Sequence, residues 1–325
     1  MGMARGLNRD RPHPGGLRTG DQGICGRRRS VILFVILALL GTPGPARSAD
    51  VMDMLGRSVF LPDRPLRLVS LAPSLTEIVF ALGRGDWLVG VTNFCDYPAE
   101  ARSKPKIGGS ITPDLERIVG LRPDLVLATS DGNPRETMAQ LARLHVPVFA
   151  VKPEAYAGIL ASIEAVGRAL RAGGEAAALV QEIQGRVASV RRAVGHRVRP
   201  RVLYLVWTDP LIAAGPATYI HDLIEMAGGE NVVRERSVAY PRLGWEEVVG
   251  AAPEVILVAS HRDGPDRPWM GEVWRGWQGV PAVRSGRIIA VPGDTIHRPG
   301  PRVVEGVVRL ARAIHPEVFT RIGAR

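Results

Sequence analysis

Apolar positions along the chain alternate between two patterns. Short apolar runs of strand length occur at Leu88–Val91, at 125–128 and at Val148–Val151, and again at 201–206, 255–258 and 288–291. Between them, apolar residues recur every three or four positions, as at 134–144 and 302–314. Strands alternating with helices predict a parallel α/β architecture. A strand from Arg67 runs into a turn at Pro73, and SLTEIVFALG then predicts a helix with Ser74 as N-cap and Glu77 closing a capping box.

The pattern also repeats. Residues 114–130, DLERIVGLRPDLVLATS, return as GWEEVVGAAPEVILVAS at 244–260, a displacement of 130 positions. Glu116, Val119, Gly120, Pro123, Leu127 and Ser130 meet identical residues at Glu246, Val249, Gly250, Pro253, Leu257 and Ser260. Each copy predicts a short helix starting at an acidic residue, a turn at proline and an apolar strand. Two copies do not make a solenoid, which needs at least three units. They predict two related α/β lobes, and paired lobes commonly hold a ligand between them.

Between the copies, Ala176, Leu179, Val180, Ile183, Val187, Val190 and Val194 form one apolar face of a helix over about 175–193. At 1.5 Å per residue it is roughly 30 Å long. As the sole link between two lobes it restricts hinge motion. The same periodicity also fits a peripheral helix of the first lobe.

The N-terminus changes the compartment and the charge. Arg27, Arg28 and Arg29 precede ten apolar residues, VILFVILALL, and then small residues up to Ala49. That order predicts a secretory signal, cut after Ala46, Ser48 or Ala49, and the run is shorter than the roughly 20 residues that span a bilayer. Residues 1–26 are long and polar for such a signal and fit an over-extended start. Residues 1–49 hold eight Arg and two Asp, so the formal charge of +10 falls to about +4 after cleavage. A nucleic-acid-binding arm is unsupported. Only Cys95 remains, which excludes an intramolecular disulfide. A soluble, exported protein with a packed core is expected.

Catalytic signatures are missing. GxGxxG after a strand, GxxxxGK[ST], GxSxG and HExxH do not occur, and the histidines lack ligand-like spacing. Neither an enzyme nor a metal centre is predicted. A scaffold that binds only proteins would take no small ligand at all.

The segments SLAPSLTEIVFALG, DYP at 96–98, DLERIVGLRPDLVLA, the stretch from Pro210 to Gly215, AGGEN at 227–231 and YPRLGWEEVV resemble the periplasmic cobalamin-binding proteins. More broadly the chain is similar to binding proteins for metal chelates such as cobalamin, haem and ferric siderophores. The resemblance implies two Rossmann-like lobes joined by a single long helix, the class III arrangement: signal segment 1–49, first lobe 50–172, linking helix 173–196 and second lobe 197–325. It implies cobalamin or a related corrinoid as transported ligand, no resident cofactor, a monomer, and delivery to an inner-membrane ABC permease with its ATPase. Tyr97 and Tyr240 match family aromatics on the two cleft walls, and Asp294 and Arg298 match residues that contact cobalamin. Trp207, at a strand end, and Asp209 just beyond are further candidates. Glu116 and Glu246 match glutamates that meet permease arginines. His297 has no counterpart: it fits either a metal-facing group or a hydrogen-bonded loop residue. Cys95 fits a small buried residue. Ser110 and Thr129 stand where some cobalamin binders carry tryptophan. A siderophore reading would draw on Lys104, Lys106, Arg135 and Arg242, which ordinary surface charge explains as well.

Overall fold

The computed structural model of the chain describes residues 49–62, 67–235, 237–260 and 274–320; residues 1–48 of the predicted signal segment lie outside them. Residues 47–325 form one compact unit. Strands β1 (Ala49–Met52) and β2 (Ser58–Leu61) pair antiparallel. The first lobe follows as β3 (Leu68–Ser70), α1 (Pro73–Ala81), β4 (Leu88–Val91), α2 (Leu115–Gly120), β5 (Leu125–Thr129), α3 (Arg135–Arg143), β6 (Val148–Val151) and α4 (Tyr156–Ala169). Helix α5 (Gly173–Val194) leads to the second lobe. There the order is β7 (Arg201–Thr208), β8 (Leu211–Ala213), α6 (Tyr219–Met226), β9 (Glu230–Asn231), α7 (Trp245–Ala251), β10 (Val255–Ser260), α8 (Pro281–Arg284), β11 (Ile288–Pro292), α9 (Val303–Ile314) and α10 (Pro316–Thr320).

The two sheets share one plan. The first runs β4-β3-β5-β6, all parallel. In the second, β9, β7, β10 and β11 stand in the same order and are parallel, with β8 added antiparallel on β7. The sequence repeat has a structural counterpart. Arg122 and Ala252, 130 positions apart, take left-handed φ values of 45° and 44° at the helix-to-strand turns. The proline that follows each cannot continue a helix, so the chain reverses there. Arg67 and Arg201 brace these turns alike: each backbone N–H donates to the carboxylate of Asp124 or Glu254, at 2.9 and 2.8 Å, and each guanidinium donates to turn carbonyls.

Helix α5 buries Ala176, Val180, Ile183, Val187, Val190 and Val194. That face packs on α4 of the first lobe and on α9 and α6 of the second, so α5 is not peripheral to one lobe. One buried apolar cluster runs from Leu75 and Ile163 through α5 to Leu223 and Val307, tying the lobes together. Two smaller clusters cover the outer faces of the sheets, as parallel sheets require.

Two local expectations at helix starts are overturned. Helix α1 begins at Pro73 with Ala72 as N-cap and no side-chain cap bond; proline's fixed φ and missing N–H suit that first position. Ser74 therefore does not cap, and Glu77 is drawn to another partner. Helix α7 starts after Gly244 rather than at an acid, and Glu247 Oε2 reaches back to accept from Gly244 N at 2.6 Å. The first copy keeps its acidic start, Asp114 accepting from Arg117 N at 2.9 Å. Among the described residues no helix is long and apolar enough to cross a membrane.

Candidate functional site

A cavity of about 300 Å³ opens between the lobes. The first lobe contributes Pro73 and Ser74 from the start of α1, Ser110, and Thr129 and Asp131 from the end of β5. The second contributes Val206 near the end of β7, Tyr219, Tyr240, His297 and Arg298. Carboxyl ends of parallel strands converge there, the usual place for a ligand in open α/β sheets. Ser110 and Thr129 both line this space.

Arg298 is the most heavily engaged of the predicted contacts. Its Nη1 donates to Asp96 Oδ1 at 2.6 Å and lies 3.5 Å from Glu77 Oε1, while Nη2 donates to Asp294 Oδ1 at 3.1 Å. Arg302 completes the group, with Nε and Nη2 donating to the two Glu77 oxygens at 2.9 and 2.5 Å. Glu77 and Asp96 belong to the first lobe, and the arginines and Asp294 to the second, so the ion pairs bridge the lobes. The Glu77 side chain is 1% exposed. Burial raises its carboxyl above 4.5 even though both arginines pull it down. Asp96 is half exposed, and the Arg298 hydrogen bond holds it below 3.8.

Tyr240 faces the cavity, and burial first, then the charge of Asp131, push its hydroxyl up to about 12. His297 Nε2 lies 2.9 Å from the hydroxyl of buried Tyr204, giving the imidazole a hydrogen-bonding partner in the cavity wall. Tyr97 is placed elsewhere. It lines a second cavity of about 620 Å³ bounded by α1, α5 and the start of α9, with the Arg302 guanidinium 4.1 Å from its ring centroid. Trp207 is exposed and its indole N–H donates to the carbonyl of Asp209 at 2.7 Å. Asp209 lines a third cavity, beside Arg242 and Trp245. The structure thus brings Tyr240 and Arg298 into one cavity, joins Asp294 to them through Arg298, and leaves Tyr97, Trp207 and Asp209 outside its lining. Glu116 and Glu246 are exposed in the first turns of α2 and α7. Cys95 is buried, its Sγ 3.1 Å from the hydroxyls of Thr76 and Thr92. Among the described residues no cluster of three metal-ligating side chains occurs.

Sequence reasoning missed Glu77, Asp96 and Arg302 as a bridge, and Asp131 as a cavity residue. Asp131 had a usable signal, since it stands three residues past the end of a predicted strand.

The sequence model for the family described as periplasmic binding protein matches residues 68–295. The chain belongs to the periplasmic binding protein family. Its architecture of two α/β lobes on one long helix is that of the class III periplasmic binding proteins. The vitamin B12-binding protein of Vibrio cholerae serotype O1 is 29% identical over 278 residues, covering 85% of this chain and 91% of that protein. The crystal structure of the periplasmic vitamin B12 binding protein BtuF of Vibrio cholerae superposes with a TM-score of 0.68 at 28% identity, covering 78% of this chain and 97% of that one. The periplasmic heme-binding protein RhuT from Roseiflexus sp. RS-1, in apo form, gives a TM-score of 0.67 at 29% identity, covering 78% and 99%.

Proposed function

We propose that this periplasmic binding protein is exported through its N-terminal signal, captures cobalamin or a related corrinoid between its lobes, and delivers it to an inner-membrane ABC importer. The observation that carries the reading is the interlobe cavity lined from the first lobe by the end of β5 and the start of α1 and from the second by Val206, Tyr240 and Arg298, in a chain similar along most of its length to a vitamin B12-binding protein. A corrin is a broad, largely apolar plate fringed by amides. Tyr240 offers a rigid aromatic face to such a plate, and Arg298 offers fixed donors to its polar rim. Tyr97, Trp207, Asp209 and Asp294 are assigned to the same ligand as its further contacts. A cavity of 300 Å³ is at the small end for ligand sites, so part of the ligand projects from the cleft. Glu116 and Glu246, matched on the two lobes, are assigned to docking on the permease.

A second reading, haem or a ferric siderophore, is favoured by His297 in the cavity wall. Absorbance titration of the purified protein with cyanocobalamin, haemin and ferric chelates separates the two. Saturable binding of one cyanocobalamin per monomer is expected. Haemin binding without cobalamin binding supports the second reading, and a chemical change in the corrinoid spectrum would point to an enzyme.

A further inference from the structure

The cavity has an electrostatic character that none of its predicted contacts supplies. Arg298 is the one guanidinium among the described residues lining it, and three carboxylates lie within ion-pair distance of that guanidinium. Counted with Arg302, the bridge sets three carboxylates against two guanidiniums, so it holds no surplus positive charge. Lys104, Lys106, Arg135 and Arg242, the cations that an anionic chelate would need, do not line the cavity. Lys106 is committed elsewhere, its Nζ donating to the carbonyls of Cys95 and Ala101 at 2.9 and 3.1 Å.

Asp131 does line it. Its Oδ1 accepts from Thr129 Oγ1 at 3.2 Å, and among the described residues it makes no ion pair. Asp131 is open to solvent at the cleft, and desolvation by the surrounding walls, with Glu154 as a further negative neighbour, raises its carboxyl above 3.8. An uncompensated carboxylate in a cleft is satisfied best by hydrogen-bond donors brought in by the ligand. It repels a ligand edge that carries carboxylates of its own.

We infer that Asp131 is a specificity-determining residue: it selects a ligand whose rim donates hydrogen bonds, as a carboxamide fringe does, and rejects one fringed with carboxylates. This deepens the proposed function and rests on the interlobe cavity being the ligand site. The selection works partly by repulsion, and a like-charge contact in a desolvated interface costs enough to exclude a competitor.

The test compares cyanocobalamin, an amide-fringed corrinoid, with haemin, a ferric porphyrin dicarboxylate, on the parent protein and on Asp131→Asn. The substitution keeps the shape and removes the charge, and an unchanged melting temperature certifies the fold. The parent should prefer cyanocobalamin. Asp131→Asn should narrow the ratio of the two affinities by about tenfold or more, through tighter haemin binding, weaker cobalamin binding or both. A preference for cyanocobalamin that survives Asp131→Asn unchanged overturns the role of Asp131 and leaves the corrinoid reading standing. A parent protein that prefers haemin overturns both.

Discussion

Arg298 Nη1 in the second lobe lies 2.6 Å from Asp96 Oδ1 in the first, across 202 residues of sequence. The pair is one strut of a bridge whose other members are Glu77, Arg302 and Asp294. Since Arg298 also faces the cavity, the residue expected to touch ligand is held in place by the opposite lobe.

Glu77 should be the least replaceable member of this bridge. Its side chain is 1% exposed and serves two arginines that are themselves 12% and 13% exposed. Removing one partner from a buried ionic group leaves charge without compensation, at a cost of about 3–5 kcal/mol. Glu77→Ala is expected to lower the free energy of unfolding in urea by that amount. A loss below about 1 kcal/mol would mean that water substitutes for the carboxylate.

The two first-lobe carboxylates should answer to pH in opposite senses. Asp96 is held below 3.8, so it contributes stability that is present above 3.8 and lost as pH falls through its folded value. Glu77 is held above 4.5, so the proton-linked part of its contribution, separate from its ion pairs with the arginines, is present below 4.5 and lost as pH rises through its folded value. Carboxyl-carbon NMR of the folded protein should find Glu77 titrating above 4.5 and Asp96 below 3.8. Asp96→Asn should also flatten the acid limb of the stability profile, and the reverse order of titration would refute the assignment.

Tyr240 and Tyr97 can be told apart by substitution. An aromatic anchor contributes on the order of 1–3 kcal/mol when truncated. Tyr240→Ala should therefore weaken cyanocobalamin binding about tenfold or more with the fold intact. The same measurement on Tyr97→Ala decides whether the ligand extends to the second cavity: a comparable loss places it there. If both variants bind like the parent, the tyrosines are packing residues and the ligand lies elsewhere.

Docking is tested separately from binding. Among the described residues neither Glu116 nor Glu246 makes an ion pair, and the helix starts are already served by Asp114 and Glu247. Replacing both with alanine should cost less than about 1 kcal/mol of stability and leave ligand affinity in solution unchanged. Uptake with the cognate permease should fall, because two charges on matched positions orient the encounter. Undiminished uptake by the double variant removes the docking role.

How much was legible follows the range of each interaction. Apart from β8 and β9, the strands of both sheets, the repeat and α5 are written in local apolar spacing, and their observed bounds fall within two residues of the expected ones. Helix α4 was not singled out because Ile159, Leu160, Ile163, Ala165, Val166 and Ala169 are all buried, which blurs any single apolar stripe. Strands β8 and β9 have three and two residues, too few for a period to show. The bridge was invisible for a different reason. Glu77 satisfies a local capping pattern, yet its partner Arg302 lies 225 residues away, and with Ala72 as the observed N-cap Glu77 stands too far along the helix to close a capping box.

The bridge also sets a clock. Parting the lobes means stripping Arg298 from Asp96 and both arginines from Glu77, and each group must rehydrate before the gap widens. Related binders differ in affinity chiefly through how slowly they let go. Where release of a cargo seated beside Arg298 requires the lobes to part, its residence time depends on Glu77, Asp96 and Arg302, which do not line the cavity, as well as on its own contacts.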